Sequence, residues 1–312
     1  MKHFTPDFKI LANEKDVTAH IAKNLIELSF KDEAGIVSDE ITLSVYGAFK
    51  RPKYKDKLKL WLGYKESGLW YCGSFAVQSS ERTESSTTIT ATGVDFSSGL
   101  KKRKNRAWEK LSLKEIVERI AKEHDLSAVA DFGEIKIAYA GQHDRSDLTF
   151  LQKFAKDFDA IFNVKDNQIV FLRKENESKS IIPKSSISLS ECSSYRIKYS
   201  NKTLYGSCKA IWHDTKENKI KEVIVGSDEG EQIRLEQSFK NAAEALAKAK
   251  AKLERAKCGI VSGSLEIYGT CVFAGGILSL SNAGEDSGEY RIKSVHHSLS
   301  ADSFTTSVEF EK

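Results

Sequence analysis

Four groups of residues in this chain have the types and spacing to do chemistry. Two histidines stand together at His296-His297. Acidic residues pair at Glu115/Glu118 and at Asp157/Asp159. A basic run, KKRKNR (101–106), precedes Trp108, and five cysteines are scattered at 72, 192, 208, 258 and 271. Neighbouring histidines can hold a metal if both imidazoles reach one point. Paired carboxylates can cleave a glycosidic bond when roughly 5 to 10 Å apart across a cleft. Lysines and arginines beside an aromatic ring can bind phosphates and stack on bases.

The local patterns argue against each. His296 and His297 lie in an alternating segment, so as strand neighbours they point to opposite faces. Asp157 and Asp159 fall on the polar side of a helical stretch, where solvated charge is the default. One short basic run between two dissimilar regions reads as a solvated linker. The cysteines show no C-x-x-C and no Cys/His spacing of a metal site, so they read as free thiols in a reducing compartment. Sequons at Asn176 and Asn201 mean nothing without a secretory signal. G-x-S-x-G, H-E-x-x-H, Walker A and G-x-G-x-x-G patterns are absent. We therefore expect no enzyme, no cofactor and no metal.

The 312 residues allow two domains, or three small ones. At 40% hydrophobic and 29% charged, the composition is that of a chain with a packed core rather than a disordered one. Lys and Arg number 48 against 44 Asp and Glu, and a net charge of +4 is too small to indicate a nucleic-acid partner. The N-terminal MKHFTPDFKILANEKDVTAH lacks a long apolar core and carries acidic residues, unlike a signal or transit peptide. No run of about 18 apolar residues occurs, so no membrane insertion is expected.

The elements that must position these residues are mostly strands. KNLIELSF (23–30), ITLSVYGAF (41–49), KLKLWLGY (57–64), LWYCGSFAVQ (69–78) and STTITATGVD (86–95) alternate and predict a curled antiparallel sheet over 1–100. From 101 to 174 the spacing changes. LSLKEIVERIAKEHDL (111–126) predicts a helix with Ser112 and Glu115 as a capping box. EIKIAYAG (134–141) predicts a strand, and AIFNVKDNQIVFLRK (160–174) a hairpin around Asp166-Asn167. Strands return over 175–312: SSISLS (185–190), YRIKYS (195–200), SCKAIWHD (207–214), KEVIVG (221–226), GSLEIYG (263–269), AGGILSLSN (274–282), EYRIKSVHHSLS (289–300) and FTTSVEFEK (304–312). An Ala-rich helix over 237–257 interrupts them, with Gly259 suited to follow its end.

The most informative stretch is SDLTFLQKFAKDFDA (146–160). At about 100° per residue, Leu148, Phe150, Leu151, Phe154, Ala155 and Phe158 fall in one arc of roughly 160°. Ser146 or Asp147 can cap it. It reads as a packing surface, against its own unit's sheet or a neighbouring subunit. Phe239, Leu246 and Leu253 mark a second apolar stripe at 3–4 spacing in the Ala-rich segment. These eight residues, the alanine aside, are the structural and interface candidates.

Two segments repeat each other. Gly73-Ser-Phe75-Ala-Val77-Gln-Ser79 has the pattern of Gly288-Glu-Tyr290-Arg-Ile292-Lys-Ser294. Each follows an alternating strand and precedes a Thr-Thr strand (Thr87-Thr88; Thr305-Thr306). The pattern raises two related β-barrels in one chain.

In order, KRPKYKDKLKLWLGY with GSFAV, LKKRKNRAW, LSLKEIVERIAKEHDL, SDLTFLQKFAKDFDA, AEALAKAKAKLERA, and YRIKSVHHSLS with FTTSVEFE resemble the phage late control protein D family. These are hubs of contractile tails, related to the N-terminal part of VgrG hubs. The resemblance covers nearly the whole chain. It implies a mainly β fold: two tail-tube-like β-barrels plus a small α/β domain, with the Ala-rich helix against the second barrel. It also implies a homotrimer whose six barrels meet the six-fold tail tube and whose three-fold axis meets a spike. Closed rings of this kind repeat one head-to-tail contact. The partners would be the tail tube protein, a separate central spike protein and other baseplate proteins, with DNA only as transiting cargo. The place would be the virion baseplate, assembled in a bacterial cytoplasm. VgrG chains continue into a β-spike and some hubs carry a lysozyme domain; neither follows here before Lys312. The alternatives are the hub of a headless bacteriocin or type VI-like injection device, and a tail-associated peptidoglycan hydrolase.

Overall fold

The computed structural model describes residues 4–34, 38–93, 99–165, 168–173, 183–200, 205–214, 217–227, 229–239, 241–257 and 261–312. The chain begins with β1 (Pro6–Ala12), β2 (Lys15–Asp16) and the short α1 (Thr18–Ala22). Then follow β3 (Leu25–Glu33), β4 (Glu40–Tyr46), β5 (Lys57–Tyr64), β6 (Gly68–Arg82) and β7 (Ser86–Thr92). Alternation sets the faces: Ile41, Leu43 and Val45 of β4 and Leu58, Leu60 and Leu62 of β5 all point into one core. The antiparallel order is β3-β4-β7-β6-β5-β1-β2. β1 is a strand the sequence reading passed over, although Phe8 and Ile10 alternate into the same core.

The middle region holds β8 (Arg103–Ser112), α2 (Leu113–Glu123), β9 (Ser127–Ala130), β10 (Lys136–Ser146), α3 (Asp147–Asp157), β11 (Ala160–Lys165) and β12 (Gln168–Arg173). The basic run is thus not a linker. Most of it is strand, paired antiparallel with β10 from Arg103 opposite Ser146. The capping box forms at α2: the Glu115 amide donates to Ser112 Oγ at 3.2 Å, and the Ser112 amide donates to the Glu115 carboxylate at 2.6 Å. β11 and β12 make the expected hairpin; its turn residues, Asp166 and Asn167, lie outside the described residues.

The rest comprises β13 (Lys184–Ser188), β14 (Ser194–Tyr199), β15 (Tyr205–Asp214), β16 (Lys219–Gly226), β17 (Glu231–Phe239), α4 (Ala242–Lys257), β18 (Val261–Tyr268), β19 (Ile277–Ser281), β20 (Gly288–Leu299) and β21 (Phe304–Glu311). α4 starts five residues later than its alanine content suggested. The Asn241 side chain accepts from the Glu244 amide at 2.8 Å and closes the helix start, while Gln237–Phe239 belong to β17. The proposed C′ residue, Gly259, lies outside the described residues. α4 rests on the small sheet β16-β15-β17, with Ala245, Ala249 and Leu253 against Cys208, Ala210 and Phe239.

The internal repeat is built into the topology. β14-β18-β21-β20-β19 has the same strand order as β3-β4-β7-β6-β5. The registers agree as well: Gly73 faces Leu60 as Gly288 faces Leu280, and Glu40 faces Thr92 as Ser262 faces Glu311. The two units are joined through one continuous sheet. β20 pairs with β3, from Ser294 opposite Glu33 to Leu299 opposite Leu28. Leu299 and Phe304, at the end of the second unit's hairpin, are buried in the first unit's core, where Phe304 stacks on Trp70 at 5.7 Å.

Candidate functional site

The apolar arc of α3 is spent inside its own unit. Phe150, Leu151, Phe154 and Phe158 are buried in one cluster with Leu113, Ile116 and Ile120 of α2 and Phe162 and Phe171 of the hairpin, and Leu148 packs against it. Phe150 meets Phe154 edge-on at 4.8 Å and Trp108 face-on at 6.2 Å. Of the second stripe, Phe239 and Leu253 are buried between α4 and its sheet, but Leu246 is 49% exposed. It lies one residue, about 100° of rotation, from the inward row 245–249–253.

Beneath the start of α3 lies a charge cluster. Ser146 caps the helix by accepting from the Thr149 amide at 3.2 Å, which frees Asp147 to turn inward. Asp147 is fully buried. Its Oδ1 accepts from Arg106 at 2.6 Å and from Gln142 Nε2 at 2.8 Å; its Oδ2 accepts from Lys104 at 2.6 Å and lies 2.8 Å from His124 Nε2. Glu123 takes the other sides of Lys104 and Arg106 at 2.6 to 2.9 Å. The Arg106 guanidinium lies over the Trp108 ring, 4.3 Å from its centre. Burial pushes the Asp147 carboxyl up, but the bonds from His124, Lys104 and Gln142 and the charge of Arg106 outweigh it and hold it below the usual carboxylate range. Desolvation pulls the Lys104 ammonium down, but its bonds to Asp147 and Glu123 outweigh that and raise it.

Glu123, His124 and Asp147 bring ligand-type atoms within 4.8 Å of one another. An ion there would compete with an ammonium and a guanidinium already on the two carboxylates, so the donor set suits a structural ion network and not a cation site. No local pattern announced it: Lys104 and Arg106 meet a carboxylate more than 40 positions away.

The histidines and three of the paired carboxylates have structural partners. His297 is buried with Nδ1 2.9 Å from Thr306 Oγ1, its ring parallel to Phe30; His296, on the opposite face, has Nε2 2.8 Å from Ser29 Oγ. Glu115 caps α2, Glu118 pairs with Lys114 at 3.8 Å, and Asp157 pairs with Lys248 of α4 at 3.4 Å. What the arrangement can do is pack and pair. Among the described residues no helix is long and apolar enough to cross a membrane. Open surfaces among the described residues include the edge strand β14, with Tyr195 and Tyr199 each 59% exposed, and the face of β16 carrying Ile220 and Ile224.

Known proteins resemble the chain in sequence and in fold. The probable baseplate hub protein of Escherichia phage 186 is 28% identical over 224 residues, and that of Escherichia phage P2 is 26% identical over 225. Each alignment covers 69% of this chain and 58% of the relative, so the chain spans little more than half the length of the curated relatives it matches. The tail protein from Neisseria meningitidis MC58 shares the fold with a TM-score of 0.73 at 8% identity, covering 99% of this chain and 97% of that one. The 43 kDa tail protein of prophage MuSo2 from Shewanella oneidensis does so with 0.70 at 13%, covering 97% of both. A type VI secretion component of E. coli, itself described as similar to T4 tail proteins gp27 and gp5, aligns over 92% of this chain and 73% of its own with 0.56 at 10%. Residues 71–303 match the family described as phage tail baseplate hub (GPD), and the chain belongs to that family.

Proposed function

We propose that the chain is a structural subunit of a contractile-tail baseplate hub, forming a homotrimeric ring between the six-fold tail tube and a three-fold central spike. The observation that carries this is the five-stranded unit used twice in one continuous sheet. Three copies of the chain then present six equivalent units to a six-fold partner, while the ring keeps three-fold symmetry for the other. The partners in this reading are the tail tube protein on one side, a spike protein on the other, further baseplate proteins around the rim, and DNA passing through. The place of action is the tail baseplate of a virion assembled in the bacterial cytoplasm. The role is mechanical, matching symmetries and transmitting the force of contraction.

Light scattering on the purified chain tests it. A species at three times 34.9 kDa, about 105 kDa, is expected. A chain that stays monomeric at every concentration, alone and with tube and spike proteins added, overturns the reading. The shared fold with a type VI component favours a second setting, an injection device without a capsid. Capsid genes beside this one decide for the phage.

A further inference from the structure

β20 serves two neighbours along one edge. Up to Arg291 it pairs with β19, and from Ser294 to Leu299 it pairs with β3 of the first unit. Lys293, between the two, is a bulge. β6 has the same plan. It pairs with β5 up to Ala76, carries its bulge at Gln78, and keeps β7 on its other edge to Arg82. Beyond the bulge, no described strand of the chain lies on the edge that β5 has left. At the far end of the sheet β14, the counterpart of β3, pairs among the described strands with β18 alone. The seam within the chain therefore uses one donor edge and one acceptor edge, and the chain's two ends keep the complementary pair.

We propose that these two ends join between copies of the chain: Ser79–Arg82 of one copy pairs antiparallel with Ile197–Ser200 of the next, in the register β20 and β3 use internally. This deepens the trimer reading above and rests on it. The register follows from the repeat. Ser294 corresponds to Ser79 through the common bulge, and Lys31 to Lys198 because each lies opposite the equivalent residue, Glu40 or Ser262. His296 facing Lys31 then becomes Glu81 facing Lys198. Val295 facing Asp32 becomes Ser80 facing Tyr199, and His297 facing Phe30 becomes Arg82 facing Ile197.

Two independent observations support the pairing. The transferred register sets an acid directly opposite a base, Glu81 on Lys198, both exposed in the single chain. The exposure of β14 is also that of a strand missing its neighbour. Leu28, Phe30 and Asp32 of β3 are buried beside β20, whereas their counterparts Tyr195 and Tyr199 are 59% exposed and Ile197 is half-buried. An open edge with two bare tyrosines is what a folded protein ordinarily covers. The Tyr199 hydroxyl donates to Asp286, which holds the ring on the core side of the strand.

The test is cysteine pairing in the full chain, with Cys192, Cys258 and Cys271 changed to Ser and only the buried Cys72 and Cys208 kept. Directly opposite strand residues hold their Cβ atoms about 4.5–5.5 Å apart, close enough for a disulfide after small adjustment. Glu81→Cys with Lys198→Cys in one chain should give, on mild oxidation, a covalent trimer on non-reducing gels. Glu81→Cys with Ser262→Cys, one strand further in and about 10 Å from the partner's Glu81 position, should not. As a second measurement, Glu81→Lys and Lys198→Glu should each weaken the trimer roughly tenfold, since every ring repeats the seam three times, and the double reversal should restore it. Circular dichroism on each variant confirms that the fold is kept. A trimer by light scattering that neither cross-links nor responds to the reversal overturns this pairing and leaves the hub reading standing. A chain monomeric under all conditions overturns both.

Discussion

Gln78 and Lys293 are the same residue of a unit used twice. Each is the extra residue at which its strand slips against its hairpin partner, between Val77 and Ser79 of β6 against β7 and between Ile292 and Ser294 of β20 against β21. A bulge bends a strand and adds twist, and in β20 it marks where one edge passes from β19 to β3. The Lys293 carbonyl also accepts from the Ala34 amide at 2.9 Å, which fastens the end of β3. Backbone, not side chain, does this work. Deleting Lys293 should therefore cost about 2 kcal/mol or more in urea unfolding, because that bond is lost and the ladder must re-form. Lys293→Ala, with an exposed side chain and the backbone kept, should stay within about 0.5 kcal/mol of the parent.

Asp147→Asn should destabilise the chain by about 2–4 kcal/mol, toward the lower end because Lys104 and Arg106 keep Glu123. The pH dependence carries a sign. Asp147 is held below its ordinary value of about 3.9 in the folded state. Its contribution is then complete above that value and is lost as pH falls through the lower, folded one. Unfolding free energy measured between pH 6 and 2 should drop more steeply below pH 4 in the parent than in Asp147→Asn. Equal slopes would show that the cluster does not govern acid stability.

Phe154→Ala should cost about 3–5 kcal/mol, the usual range for a buried phenylalanine, and Phe154→Asp should leave the chain insoluble. Leu246→Asp, on the open side of α4, should leave the stability of the single chain within about 0.5 kcal/mol. Denaturant midpoints separate the two. A large loss at Leu246 in the monomer would mean that the helix sits differently on its sheet.

The elements legible in the sequence were those whose signal is local. Leu58, Leu60 and Leu62 declare a strand by alternation, Ser112 with Glu115 declares a helix start, and the arc from Leu148 to Phe158 declares a buried face. Charge counting misread KKRKNR, because density says linker while parity says strand: Lys104, Arg106 and Trp108 lie two apart and share a face. Helix propensity placed α4 but not its start. The Asn241–Glu244 spacing was the available sign, and alanine content obscured it. The seam between β20 and β3 joins residues more than 260 positions apart, so no local pattern could announce it. Only the repeat at Gly73 and Gly288 pointed that way, and it spoke of likeness, not of contact.

That seam has a consequence for unfolding. Phe304 belongs by sequence to the second unit, yet its ring stacks on Trp70 and lies 5.4 Å from Tyr64 in the first. Leu299 and His297 enter beside it, the latter against Phe30. Two units that share a sheet and exchange core residues lose each other's contacts together, so they should melt as one. Phe304→Ala removes the largest of the exchanged side chains and should cost about 3–5 kcal/mol. The loss falls on the contact between units, while the core of the second, around Leu265, Val295 and Val308, is untouched. Scanning calorimetry should then show the shared transition of the parent divided into two, the earlier one belonging to the first unit. A single transition that only moves to lower temperature would mean that the six ladder pairs from Ser294 to Leu299 couple the units without help from the aromatic contact.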